Sequence, residues 1–79
     1  MTPTLEDIQT TVRLQLGLKE IPGPQTYLIE ELGAESADIV NLIATLEEKY
    51  QIFIAEEKLM TIHTVADLHN LVKNQLDQA

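Results

Sequence analysis

Ser36 stands between Glu35 and Asp38 in "LGAESADIV", Leu32 to Val40, where a loop gives way to a helical pattern. A serine in that setting has two readings. As a helix cap, its oxygen accepts an otherwise unpaired backbone N–H and contributes about 1 kcal/mol. As a chemical site, it offers a hydroxyl where free N–H groups and the helix macrodipole both favour a phosphate, so a phosphorylated or phosphodiester-linked serine fits there. Self-contained hydrolysis is a poor match, because the chain has no G-x-S-x-G elbow and His63 and His69 lie on a distant segment. A serine modified by another enzyme needs no base of its own, only exposure and a readable surround.

The other reactive side chains point to no second chemistry. His63 and His69 are not at the same-face spacing of a helical metal pair and have no third ligand near them in sequence, so they are expected on the surface and no metal site is expected. Glu30, Glu31, Glu35, Asp38, Glu47, Glu48, Glu56 and Glu57 lack the alternate-residue oxygen pattern of a calcium loop and are read as a solvated acidic face. With no cysteine in the chain, disulfides, Cys-type zinc sites and thiol nucleophiles are excluded, and any sulfur chemistry has to be imported.

Thirteen acids against five Lys plus Arg give a net charge of −8, a field that repels nucleic acid and anionic lipid and attracts basic protein surfaces. No apolar run approaches membrane-spanning length, and "MTPTLEDIQ" has neither the basic region nor the apolar core of a signal peptide. The chain is therefore expected in the cytoplasm, without stable membrane insertion. Its 79 residues suffice for one small domain, residues 1–79, and with one Phe, two Tyr and no Trp the core has to be aliphatic.

Positioning Ser36 falls to the surrounding elements. Thr4 and Asp7 have a capping-box spacing, Leu5, Ile8, Val12 and Leu16 form one apolar stripe, and Gly17 is a suitable terminator, so a first helix is predicted there. Pro22, Gly23 and Pro24 forbid a continuous helix over residues 18–35, which reads as a long ordered loop pinned by Leu28, Ile29 and Leu32. A second helix runs from Ser36 to Tyr50, with Ile39, Val40, Leu42, Ile43, Leu46 and Tyr50 in a core-facing arc about 160° wide. Ala37, Asn41, Ala44 and Glu48 form a weakly apolar stripe on its outer side, which a partner could read. One brief helix is expected around Glu56 to Met60, and a last helix opens at Thr64 with Asp67 at its third position, followed by Val65, Leu68, Leu71, Val72 and Leu76. The predicted fold is all-α: a small antiparallel bundle of three main helices plus one short helix, with a long ordered loop between helices 1 and 2.

"LGAESADIVNLIATLEEKY" resembles the modification segment of acyl carrier proteins, whose usual form is L-G-A/V-D-S-L-D, an aliphatic helix, then "LEE" plus an aromatic. The closing "IHTVADLHNLV" resembles the family's "I-x-T-V-x-D-L" final helix, and the likeness in length, acidity, absent cysteine and proline-bearing loop extends over nearly the whole chain. The resemblance implies a carrier rather than an enzyme. A phosphopantetheinyl transferase would move 4′-phosphopantetheine from coenzyme A onto Ser36, and acyl intermediates of fatty-acid or related lipid or polyketide-type biosynthesis would ride on the arm's thiol as thioesters. The cargo would shelter against Leu28, Ile43, Leu46, Ile54, Ile62 or Leu68. Glu35, Ala37, Asp38, Asn41, Ala44, Glu47 and Glu48 would be read by acyl-loading and acyl-transfer enzymes with basic docking surfaces, and the carrier would act as a monomer.

Four departures from the family pattern fall on that surface. Glu35 replaces the usual Asp and Ala37 the usual Leu, while Asn41 stands where Glu is common and Ala44 where Met is common. A docking stripe with less charge and less contact area implies a specialised carrier rather than a primary fatty-acid one. The alternative from another class is an unmodified helical interaction module that keeps the carrier fold.

Overall fold

The computed structural model describes residues 2–78. Helix α1 spans Leu5–Leu16, α2 Ser36–Tyr50 and α3 Val65–Gln78, with a short 3₁₀ helix at Glu56–Thr61 before α3. This is the expected all-α arrangement of three main helices and one short one, with no strand among the described residues beyond an isolated antiparallel bridge between Tyr27 and Thr64.

Local signals set the helix ends. The Thr4 hydroxyl accepts the Asp7 N–H at 3.1 Å while Asp7 accepts the Thr4 N–H at 2.9 Å, the reciprocal box that opens α1. Gly17 ends it in the left-handed region at φ 66°, where a side chain would be strained. At α3, Thr64 and Asp67 repeat the box, and the loop completes it: the Pro24 and Thr26 carbonyls accept the N–H groups of Ala66 and Val65. The long loop is thus ordered because it satisfies the backbone at the start of α3. Leu28, fully buried, pins it from beneath.

Asp7, near the start of α1, shares a cavity with Lys49 and Tyr50 at the end of α2, so these helices run antiparallel. The segment from Gln51 to Thr64 then carries the chain back to the start of α2, where Ile62 and Ser36 line one cavity, and Leu76 near the end of α3 shares a cavity with Lys49 and Tyr50, so α3 runs in the same sense as α2. Helix α1 packs on both. Their shared core is aliphatic as expected, with Ile8, Val12, Leu42, Leu46, Val65, Leu68 and Val72 fully enclosed and no aromatic side chain among the buried residues.

Two expectations about the faces need correction. Val40 belongs by angle to the core-facing arc of α2, but it is 52% exposed, because the 3₁₀ helix leaves an open groove at that edge. His69 is not a free surface histidine: it is half-buried and its Nε2 lies 3.1 Å from the Pro3 carbonyl oxygen. No cluster of metal-ligating side chains occurs among the described residues.

Candidate functional site

Ser36 is the first residue of α2, and its side chain is exposed. The N-cap is Glu35, in extended conformation at φ −95°, ψ 168°, and Asp38 Oδ2 accepts the Glu35 N–H at 2.9 Å. The cap reading of Ser36 is therefore corrected by one position: capping falls to its neighbours, and the Ser36 hydroxyl stays outside the cap. Behind it, Gly33 takes a positive φ of 73° and Ala34, buried, donates its N–H to the Leu28 carbonyl at 3.0 Å. A tight turn anchored in the core thus sets where the hydroxyl projects.

Ala37, Asn41, Ala44 and Glu48 are all exposed on the outer side of α2, where the spacing places them. Glu35 is exposed beside Ser36, and Asp38 is half-buried with one oxygen engaged in the cap. Glu47 differs from the rest of the recognition set. It is half-buried, and its Oε2 accepts the Ile54 N–H at 2.8 Å, tying α2 to the extended stretch before the 3₁₀ helix.

An apolar groove runs between α2 and the 3₁₀ helix, starting at Ser36. Its first part, about 240 Å³, is lined by Ile29, Ser36, Ile39, Val40, Leu59, Met60 and Ile62. Its second part, about 340 Å³, shares Val40 and Leu59 and continues past Ile43, Ala44, Glu47, Phe53, Ile54 and Glu56. Of the expected shelter residues, Ile62, Ile43 and Ile54 reach this groove. Leu28, Leu46 and Leu68 line neither part, since at 1%, 0% and 0% exposure they are closed into the core by their neighbours. Sequence patterning does not single out Phe53, Leu59 or Met60. The signal is present in "QIFIA", where Ile52 and Ile54 turn inward and Phe53 outward, the alternation of an extended strand-like stretch.

The Thr4 backbone N–H, donating to its carboxylate, and after it the Thr4 side chain hold Asp7 below the usual carboxylate range. Burial works to raise Asp67, but N–H groups of His63 and Thr64 and the Thr64 hydroxyl outweigh it, and the carboxyl is held low. Burial, with the Asp7 charge nearby, pushes Tyr50 up.

The profile of the family described as "Phosphopantetheine attachment site" matches residues 6–72. The chain is 41% identical over 63 residues to an acyl carrier protein of Syntrophobacter fumaroxidans, covering 77% of this chain and 78% of that one. The chain belongs to the acyl carrier protein family. Another relative, an acyl carrier protein of Helicobacter pylori, is 34% identical over 70 residues, covering 87% of this chain and 90% of its own length. Among solved structures, the holo acyl carrier protein of Geobacter metallireducens superposes with a TM-score of 0.81 at 27% identity, covering 96% of this chain and 88% of that one. Acyl carrier proteins are carriers rather than catalysts, and their phosphopantetheine-binding domain carries 4′-phosphopantetheine covalently.

The residues around Ser36 fit that group. Ser36 is exposed, its hydroxyl is uncommitted to the cap, and it opens α2, where first-turn N–H groups lack intrahelical partners and favour an anion. The apolar groove starts at the same residue. Glu35 and Asp38 oppose a phosphate electrostatically, but at an exposed position water and salt screen much of that repulsion.

Proposed function

We propose that Ser36 is the attachment point of 4′-phosphopantetheine, and that residues 1–79 form a single carrier domain. It carries acyl intermediates in fatty-acid or related lipid or polyketide-type biosynthesis. The observation that carries this reading is the exposed Ser36 hydroxyl at the first position of α2, with capping left to Glu35 and Asp38 and an apolar groove opening beside it. When attached, the arm supplies a thiol on which acyl groups are held as thioesters. The chain's own residues position the tether, present Glu35, Asp38 and the outer stripe of α2 to enzymes, and offer Ile39, Val40, Leu59 and Ile62 to an apolar cargo.

Partners would be a phosphopantetheinyl transferase and acyl-loading and acyl-transfer enzymes with basic docking surfaces, drawn by the net charge of −8. The small side chains Ala37 and Ala44 and the uncharged Asn41 support a specialised carrier, acting as a monomer in the cytoplasm.

Incubating the protein with coenzyme A, magnesium and a promiscuous phosphopantetheinyl transferase, followed by intact-mass measurement, tests the attachment. Wild type should gain one phosphopantetheine and Ser36→Ala none. If wild type remains unmodified even with the transferase of its source organism, the unmodified interaction module becomes the better reading. Efficient loading of the modified protein by general fatty-acid malonyl transfer enzymes would count against a specialised role.

A further inference from the structure

Seven large apolar side chains stand exposed among the described residues, and four of them, Ile29, Val40, Phe53 and Met60, border the single groove beside α2. Phe53 and Met60 are the most exposed, at 74% and 83%. Side chains of this size are left in water at a cost relative to burial, and an apolar patch rimmed by charge marks an interaction surface. The rim is acidic: Glu47 and Glu56 line the groove, and the adjacent Glu48 and Glu57 are exposed. Lys58 is the only base on the 3₁₀ helix.

The outer stripe of α2 offers little for a partner to grip, because Ala37 and Ala44 present one methyl each. Ala44, however, lines the same groove as Phe53 and Val40, so the stripe continues into a larger apolar surface with an aromatic and a methionine, the residue types enriched where interfaces concentrate their contact. Phe53 is held in place by its backbone: Gln75 of α3 donates to its carbonyl, and Glu47 holds the next N–H. Its exposure is therefore built into the fold rather than a frayed end.

We infer that Phe53 and Met60 are the apolar anchors by which this carrier docks on the enzymes that modify and load it, and that the partner face is an apolar pocket rimmed by Lys or Arg. The docking centre is thereby displaced from the outer stripe of α2 to its groove side. Charge complementarity selects the partner, since the rim and the net charge of −8 both favour a basic surface. The identity of the partner rests on the carrier reading, because the same groove opens at Ser36.

A tethered cargo lying in the groove would also touch these residues, and protein that has not yet received its arm separates the two roles. Steady-state kinetics of Ser36 modification by a phosphopantetheinyl transferase at saturating coenzyme A are compared for wild type, Phe53→Ala, Met60→Ala, the double variant and Leu14→Ala, an exposed apolar truncation on α1. KM for the carrier should rise about fivefold in each single variant and further in the double, with kcat held within about twofold. Leu14→Ala should match wild type, and circular dichroism should show all variants folded, since the truncated side chains contribute little to the core. Normal modification with KM unmoved in the double variant overturns the inference while leaving the carrier reading intact. A changed thioester hydrolysis rate with unmoved KM would assign the pair to cargo instead. Failure of wild type to be modified overturns the carrier reading and, with it, this assignment of partner.

Discussion

Asp38 accepts the backbone N–H of Glu35 at 2.9 Å, closing a turn whose middle carries Ser36. The acid three residues from the N-cap thus holds the serine's local geometry, and in the proposed function it is also a charge for a partner to read. Two substitutions separate these roles. Asp38→Ala should cost about 0.5–2 kcal/mol in urea unfolding and slow modification of Ser36. Asp38→Asn retains an acceptor oxygen and should lose less stability, yet should lower transferase kcat/KM as much if the charge is what the enzyme reads. Equal kinetics for wild type and Asp38→Asn would remove Asp38 from the recognition set.

The Glu47 carboxylate holds the Ile54 N–H at 2.8 Å from the middle of the same helix. Hydrogen bonds to charged groups contribute about 1.5–3 kcal/mol, and partial exposure of Glu47 places this one toward the lower end. Glu47→Ala should destabilise the fold by about 1–2 kcal/mol and Glu47→Gln by less, measured by urea titration. Unchanged stability in Glu47→Ala would show that the contact is dispensable and would return Glu47 to a purely recognition role.

Ala37 lies exposed on the outer side of α2 and Ala44 is exposed at the edge of the open groove, so larger side chains there meet solvent or the groove rather than the closed core. Ala37→Leu with Ala44→Met should leave stability within about 0.5 kcal/mol. It should strengthen binding to general acyl-handling enzymes, read as a lower KM in loading assays. No gain in affinity would argue that contact area on this stripe is not what limits docking.

Asp67 is held below its ordinary pKa by N–H groups of His63 and Thr64 and the Thr64 hydroxyl, against a burial effect that raises it. Because the folded pKa is the lower one, its stabilisation is fully present above the unfolded value near 3.8 and fades as pH falls through the folded value. Asp7 has the same sign, set by its bonds from Thr4. Asp67→Asn should therefore lower Tm at neutral pH and narrow its gap to wild type as the pH is taken below about 4. A gap independent of pH would assign the loss to packing rather than to the carboxylate.

Short-range signals account for what was legible without coordinates. The caps Thr4 with Asp7 and Thr64 with Asp67, the Gly17 terminator and the apolar stripes of all three helices depend on neighbours three or four residues away, and spacing alone specifies such contacts. Ser36 as the candidate site and the exposed outer stripe of α2 are likewise matters of position on one helix, as is the aliphatic character of the core.

Tertiary structure decided what depends on which segments meet. Whether Val40 faces core or groove turns on where the 3₁₀ helix packs, and the engagement of Glu47 turns on the return path of residues 51–54. Leu28, Leu46 and Leu68 are as apolar as the residues of the groove wall, and only three-dimensional packing closes them off from it. Around Ser36 the division is the same. Its residue type and the acids beside it are properties of the chain, whereas the groove that starts at its side chain exists only because α2, the long loop and the 3₁₀ helix converge there.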